Sequence, residues 1–140
     1  MNAIPQQLLI GGTVLFLVSL LLGFAIPALP NPRLGVSAHT TGLQSGLTLW
    51  ALGLMWPTLA LPPFMQRAAQ ILAIAGLFAI FASMTLAALW NASRALPIAG
   101  AGHQASPLRE AIVTALIAGG SVASTIAVAL VLWGLCARNA

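Results

Sequence analysis

Few side chains in this sequence can titrate or bind a metal: two histidines, one glutamate, one cysteine, and no tyrosine or aspartate. His39 stands out because glycines follow it at the third and seventh positions, Gly42 and Gly46. On a helix these three residues lie within about 60° of one another, since each residue turns the helix by about 100°. A histidine on a glycine face can seat a flat, metal-bearing cofactor, but the same glycines also let two helices pack closely. The pattern alone leaves both alternatives open.

The other histidine and the glutamate are weaker candidates. His103 lies in the longest polar connection, so a second axial histidine for a bis-histidine haem is not evident. Glu110 follows Ser106 and Pro107, which are typical of the first positions of a helix. A negative charge in a first helical turn suits the helix dipole. Capping or ion pairing is therefore favoured for Glu110 over catalysis.

Several familiar kinds of site are excluded by the residue types present. The sequence holds no carboxylate pair, no metalloprotease His-Glu motif, no phosphate-binding glycine loop and no cysteine cluster. The net charge of +4 comes from five arginines and one glutamate. These arginines are dispersed along the chain, so no basic cluster exists that could release many counterions from nucleic acid. We expect no nucleic-acid partner.

The composition is that of an integral membrane protein. Of the 140 residues, 60% are hydrophobic and 4% are charged. Apolar stretches long enough to cross a bilayer as helices occur near 7–28, 37–61, 66–90 and 107–135. Short connections between most of them predict an all-α fold: an integral membrane four-helix up-down antiparallel bundle. The whole chain, 1–140, is expected to form a single transmembrane domain in contact with the lipid bilayer.

A family resemblance rests on several of these motifs. Together they resemble hydroxylaminobenzene mutase, a family of small four-span bacterial membrane proteins: Asn31-Pro-Arg33, Ser37-Ala-His39, Gly42, Gly46, Trp90-Asn-Ala-Ser-Arg94 and Ser106-Pro107. The likeness covers nearly the whole chain. A more distant similarity is to styrene oxide isomerase. Its Ala-His, followed by Asn-Gly six and seven positions later, aligns with Ala38-His39 and Ser45-Gly46.

The mutase resemblance implies a membrane-embedded isomerase. Its expected reaction rearranges hydroxylaminobenzene to 2-aminophenol by intramolecular hydroxyl migration, as in nitroaromatic degradation. The expected location is the bacterial inner membrane, with several crossings. An apolar aromatic hydroxylamine dissolves in the bilayer, which accounts for a membrane enzyme without any transport role. Gln44 and Ser45 flank the glycine face of His39, and we expect them to orient this substrate.

The more distant resemblance implies a cofactor and an assembly. In styrene oxide isomerase the matching histidine is an axial ligand of haem b in a trimer, which makes His39 the expected iron ligand and the chain a homo-oligomer. Gly42 and Gly46 would border the haem, and Arg33 or Arg94 would pair with its propionates. One protein ligand leaves the other axial position of a ferric haem open, and iron with an open position can act as a Lewis acid.

Two alternatives remain open from the sequence. One is an aryl epoxide isomerase of the styrene oxide isomerase type. It is disfavoured because Ser45 replaces that family's asparagine and because the chain has no tyrosine or aspartate. The other is a non-catalytic membrane subunit, which would bind no haem. A transporter is disfavoured because neither an inverted repeat nor a polar site at the middle of the membrane is visible.

Overall fold

The structure is a computed structural model that describes residues 3–100 and 102–137. Within these residues all regular secondary structure is helical, which confirms the predicted all-α class. The long helices are α1 (Ala3–Ala25), α2 (Pro32–Met55), α3 (Pro63–Trp90) and α4 (Pro107–Ala137). Short 3₁₀ turns, Ile26–Ala28 and Trp56–Thr58, follow α1 and α2. Residues 1, 2, 101 and 138–140 of the predicted transmembrane domain lie outside the described residues.

Three segments of the described chain are long and apolar enough to cross a membrane: Ala3–Ala28, Pro63–Trp90 and Pro107–Ala137. This is typical of a multi-pass membrane protein. Helix α2 has the length, with 24 residues, but is more polar than the others. It carries His39 and Gln44 among its apolar residues. The most polar long helix is thus the one that carries the expected functional residues.

Helix α2 lies several residues earlier than the predicted span 37–61, because its caps determine its ends. The Asn31 side chain accepts a hydrogen bond from the Leu34 backbone N–H at 3.2 Å, and Pro32 occupies the first helical position. The helix ends at Met55, two residues before Pro57, whose ring nitrogen cannot donate a hydrogen bond. Sequence reasoning missed that the Asn-Pro pair starts the helix.

Glycines bring the helices into backbone contact at two seams. Between α1 and α2, a Cβ atom placed on Gly12 would lie 2.7 Å from the carbonyl oxygen of Gly46. Between α3 and α4, a Cβ atom on Gly120 would lie 2.8 Å from the carbonyl oxygen of Gly76. Helix α2 packs against both α1 and α3. Such close approach is how helices associate where lipid tails remove the hydrophobic driving force.

Two tryptophans at the C-terminal half of α2 and just after it, Trp50 and Trp56, lie in different surroundings. Trp56 is only 2% exposed and belongs to the main apolar core, with its Nε1 donating to Gln66 Oε1 at 3.3 Å. Trp50 instead stacks on Phe16 of α1, with ring centroids 5.0 Å apart and an interplanar angle of 22°. Trp56 therefore fills the core, and Trp50 forms an aromatic pair on the α1–α2 seam.

The α3–α4 seam gives a stability prediction with a control on the neighbouring residue. Gly120→Ala would force its new Cβ against the α3 backbone, so we expect the free energy of unfolding to fall by roughly 1–3 kcal/mol. Gly119 is exposed, and a methyl group placed on it would meet no other atom within 4 Å, so Gly119→Ala should be neutral or slightly stabilising. Thermal unfolding in detergent, followed by circular dichroism, measures both. Equal unfolding temperatures for the two variants would contradict this account of the seam.

Candidate active site

The His39 imidazole is half-buried and turned toward α1, where it meets the backbone of Ser19. Its Nδ1 lies 2.6 Å from the Ser19 carbonyl oxygen. A carbonyl oxygen only accepts hydrogen bonds, so Nδ1 carries the proton of this bond, and in the neutral ring Nε2 carries the lone pair. Among residues 3–100 and 102–137, Nε2 has no hydrogen-bond partner. This is the tautomer in which a histidine can bind a metal through Nε2.

A second residue of α1 touches the same ring. A Cβ atom placed on Gly23 would lie 3.0 Å from both Cε1 and Nδ1 of His39. Ser19 and Gly23 are four residues apart and therefore share one face of α1. Sequence reasoning missed their role. The small residues along α1 are a visible signal, but they indicate packing, and a backbone carbonyl leaves no signature in residue type.

Gly42 and Gly46 lie in the α1–α2 seam. A Cβ atom on Gly42 would overlap the Ser19 Oγ and lie 2.6 Å from a ring carbon of Phe81. A Cβ atom on Gly46 would lie 2.8 Å from the Gly12 carbonyl oxygen. Protein atoms thus occupy the space in which a cofactor would border these two glycines. Their contribution to the site is to hold α1 close enough for Ser19 to reach His39.

The two residues expected to orient a substrate do not share the face of His39. Gln44 and Ser45 follow His39 by five and six positions, which places them about 140° and 120° away around the helix, in opposite directions. Gln44 is exposed. Ser45 is buried, with 4% exposure. Within one copy of the chain, therefore, the structure does not bring either side chain to the imidazole.

Arg33 and Arg94, the expected propionate partners, both lie at one end of the helices. Arg33 is in the first turn of α2, and Arg94 follows the C-terminus of α3. A hydrogen bond of 3.2 Å from the Asn31 backbone N–H to the Ala88 carbonyl oxygen ties these two helix ends together. Both arginines are exposed and available to an anionic group at this end.

Glu110 is buried at the same end and closes the connection between α3 and α4. Its Oε1 accepts from the backbone N–H groups of Ser93 at 3.0 Å and Ala105 at 3.1 Å, and its Oε2 accepts from Arg94 N–H at 2.9 Å. These charge-assisted bonds commit the carboxylate to holding the loop. His103 is exposed, and it takes part through its backbone: its carbonyl accepts from the Ser93 hydroxyl, and its N–H donates to the Gly100 carbonyl oxygen at 3.1 Å.

Comparison with known proteins identifies a family model and two relatives that match most of the chain. A family model described as styrene oxide isomerase matches residues 4–136. Hydroxylaminobenzene mutase HabB of Ectopseudomonas oleovorans is 39% identical over 133 residues, which cover 94% of this chain and 81% of that protein. Hydroxylaminobenzene mutase HabA of the same organism is 44% identical over 107 residues, covering 76% of this chain and 79% of that protein. No solved structure matches.

These matches show that the chain is an enzyme of the isomerase class. More particularly, the chain belongs to the styrene oxide isomerase family, whose model covers nearly its whole length. Both expected family resemblances are confirmed. The alternative of a non-catalytic membrane subunit is set aside, because relatives that share most of the chain are mutases.

The Glu110 contacts predict a stability effect. In Glu110→Gln the amide offers one acceptor oxygen, so at least one of three backbone N–H groups meets an NH₂ group instead. We expect the free energy of unfolding to fall by roughly 1–3 kcal/mol and protease cleavage in the α3–α4 connection to become faster. Gln104→Ala is the matched control, since Gln104 is exposed in the same connection. Unchanged cleavage in Glu110→Gln would contradict the structural role.

Proposed function

We propose that this chain is a membrane-embedded mutase that rearranges hydroxylaminobenzene to 2-aminophenol. The observation that carries the proposal is the His39 imidazole, held with its Nε2 lone pair free, in a chain that shares 94% of its length with a hydroxylaminobenzene mutase. Substrate and product contain the same atoms, so the reaction consumes no oxidant, reductant or water. The N–O bond breaks, a C–O bond forms at the ortho carbon, and the proton lost from that carbon ends on nitrogen.

The proposed architecture is a four-span, up-down antiparallel bundle in the bacterial inner membrane. Contacts between helices support it: early α1 meets late α2 at Gly12 and Gly46, and late α1 meets early α2 at Gly23 and His39. Helix α2 would cross the membrane although it is the most polar, because its histidine is turned toward α1. An aryl hydroxylamine would then reach the site through the lipid.

The proposed cofactor is haem b, held through the Nε2 atom of His39. The donor set fits, because a proton fixed on Nδ1 by the Ser19 carbonyl leaves Nε2 as a ligand atom. When bound, ferric haem would supply a Lewis acid for the N–O bond. Arg33 or Arg94 would pair with the propionates at the end of the bundle, since guanidinium groups match carboxylates. Gly42 and Gly46 would act indirectly, by holding α1 against α2.

The remaining residues of the site would bind the ring and exclude water. The stacked pair of Phe16 and Trp50 offers an aromatic wall one turn before Ser19 on α1. The Trp50 ring is held in place, because its Nε1 donates to the Leu9 carbonyl oxygen at 3.2 Å and to Thr13 Oγ1 at 3.1 Å. A dry apolar wall would protect the positive charge that develops on nitrogen and ring from capture by water.

A homo-oligomer, by family resemblance a trimer, would reconcile the positions of His39 and Gln44. In a ring of identical copies, two different faces of the chain meet at each interface. The exposed Gln44 of one copy can therefore approach the half-buried His39 of its neighbour, although the two lie on different faces of one helix. Ser45 is buried within its own bundle and would act only on a substrate that enters the interior.

A second candidate function is aryl epoxide isomerisation, favoured by the family model that matches residues 4–136. Product analysis separates the two. Purified protein incubated with hydroxylaminobenzene should form 2-aminophenol, and incubated with styrene oxide it should form little of the isomeric aldehyde. The reverse preference would replace the mutase assignment with the epoxide isomerase.

The His39 site predicts a linked loss of pigment and activity. Wild-type protein purified in detergent should show a Soret absorbance band. His39→Ala should lose that band. Its rate of conversion to 2-aminophenol should fall by more than the roughly 10–100-fold loss that is typical of residues that only support a ligand. His103→Ala is the matched control, because His103 is exposed, and it should keep both.

Two outcomes would contradict parts of this proposal. Full pigment in His39→Ala would rule out His39 as the iron ligand. Conversion to 2-aminophenol by wild-type protein that is colourless, and remains so with added haem, would leave the mutase in place and remove its haem.

A further inference from the structure

Two parts of α1 that carry no functional side-chain group lie against the His39 ring. The Ser19 carbonyl oxygen lies 2.6 Å from Nδ1, and the Gly23 backbone lies so close that an added Cβ atom would be 3.0 Å from Nδ1 and Cε1. The carbonyl fixes one edge of the ring, and the glycine lets the ring rest against the helix. Helix α1 therefore determines how the imidazole is presented.

We propose that Gly23 is a positioning residue of the site, and that the Ser19 carbonyl and Gly23 together form a cradle that sets the tautomer and orientation of His39. The cradle rests on the proposed function in one respect only, which is the identity of the group that Nε2 binds. A neutral imidazole exchanges between two tautomers, and the carbonyl stabilises the one that carries its proton on Nδ1. The second contact, at Gly23, keeps the ring from tilting away from that carbonyl.

The position of the carbonyl is itself fixed by packing. Ser19 is fully buried, and its hydroxyl lies against Gly42, where a Cβ atom would overlap it. Within the described chain this hydroxyl has no hydrogen-bond partner, whereas Thr13 bonds back to the carbonyl of its own helix. Retaining a buried, unpaired hydroxyl is costly, and a smaller or larger side chain would change the approach of α1 to α2. The size of the Ser19 side chain thus matches the short distance between α1 and α2.

The cradle requires a residue without a side chain at position 23. A Cβ contact of 3.0 Å is shorter than ordinary van der Waals contact, so a methyl group there requires the ring to shift by a few tenths of an ångström. The nearest mobile group is the imidazole itself. A shift of the ring lengthens or bends the bond from Nδ1 to the Ser19 carbonyl, and hydrogen bonds weaken steeply with such misalignment.

Three glycine variants on α1 test this inference. Gly23→Ala changes the cradle. Gly12→Ala disturbs the same seam without touching His39, because its Cβ atom would lie 2.6 Å from Trp50 Cδ1 and 2.7 Å from the Gly46 carbonyl oxygen. Gly11→Ala is the neutral control, with its nearest neighbour, Leu49 Cδ1, at 3.5 Å. Thermal unfolding of each variant separates general destabilisation from an effect on the ring.

The direct measurement is nitrogen NMR of the full chain in detergent with ¹⁵N-labelled histidine, assigned by comparison with His39→Ala. In mildly alkaline buffer, wild type and Gly11→Ala should show the proton of His39 on Nδ1, and Gly12→Ala should retain more of that tautomer than Gly23→Ala. Gly23→Ala should show a mixture of tautomers or a proton on Nε2. Titration with ferric haem should then give affinity about 10–100-fold weaker for Gly23→Ala than for Gly11→Ala, as for other residues that support a metal ligand.

The outcomes distinguish the cradle from the proposed function. A proton on Nε2 in wild type would overturn the cradle whether or not the variants fold. A Gly23→Ala spectrum identical to that of Gly11→Ala would also overturn it. If the tautomer depends on Gly23 but wild type binds no haem and makes no 2-aminophenol, the cradle stands and the proposed function fails.

Discussion

The hydrogen bond from His39 Nδ1 to the Ser19 carbonyl oxygen is the interaction on which the site depends. Among apolar helices an unpaired N–H group costs far more than it does in water, so the imidazole proton stays where its acceptor is. That acceptor is a backbone atom of a neighbouring helix. The chemical state of His39 is therefore a property of the α1–α2 pair and of the distance between the two helices, rather than of α2 alone.

The distance between α1 and α2 is set by glycines. The sequence presents helix packing and a functional site as alternatives for the glycine face beside His39, and this distance links the two. Gly12 and Gly46 bring the two backbones into contact, and Gly42 makes room for Ser19. The packing seam and the proposed site are thus the same feature. The seam brings the carbonyl within 2.6 Å of Nδ1, and the proposed site would use the ring nitrogen that this contact leaves free.

Sequence reasoning could predict what depends on residue type and hydrophobic length. The all-α class and three of the apolar helices follow from long apolar runs, and His39 stands out because ionisable side chains are so few. The start of α2 was not predictable from apolar length, because Asn31 caps it through a local side-chain contact. The roles of Ser19 and Gly23 depend on a backbone atom and on a missing methyl group, and neither carries a chemical signature in the sequence.

The hydrogen bonds of Glu110 and His39 limit the chemistry that each group can perform. Glu110 accepts three backbone N–H groups and holds a loop, so its carboxylate is not free to deliver a proton. In the neutral ring His39 carries its proton on Nδ1, bonded to Ser19, so Nε2 can act as a ligand or as a base. A group bound at Nε2 would use the ring nitrogen that the α1–α2 contact leaves free, and it would leave the contacts of Glu110 and of Nδ1 in place.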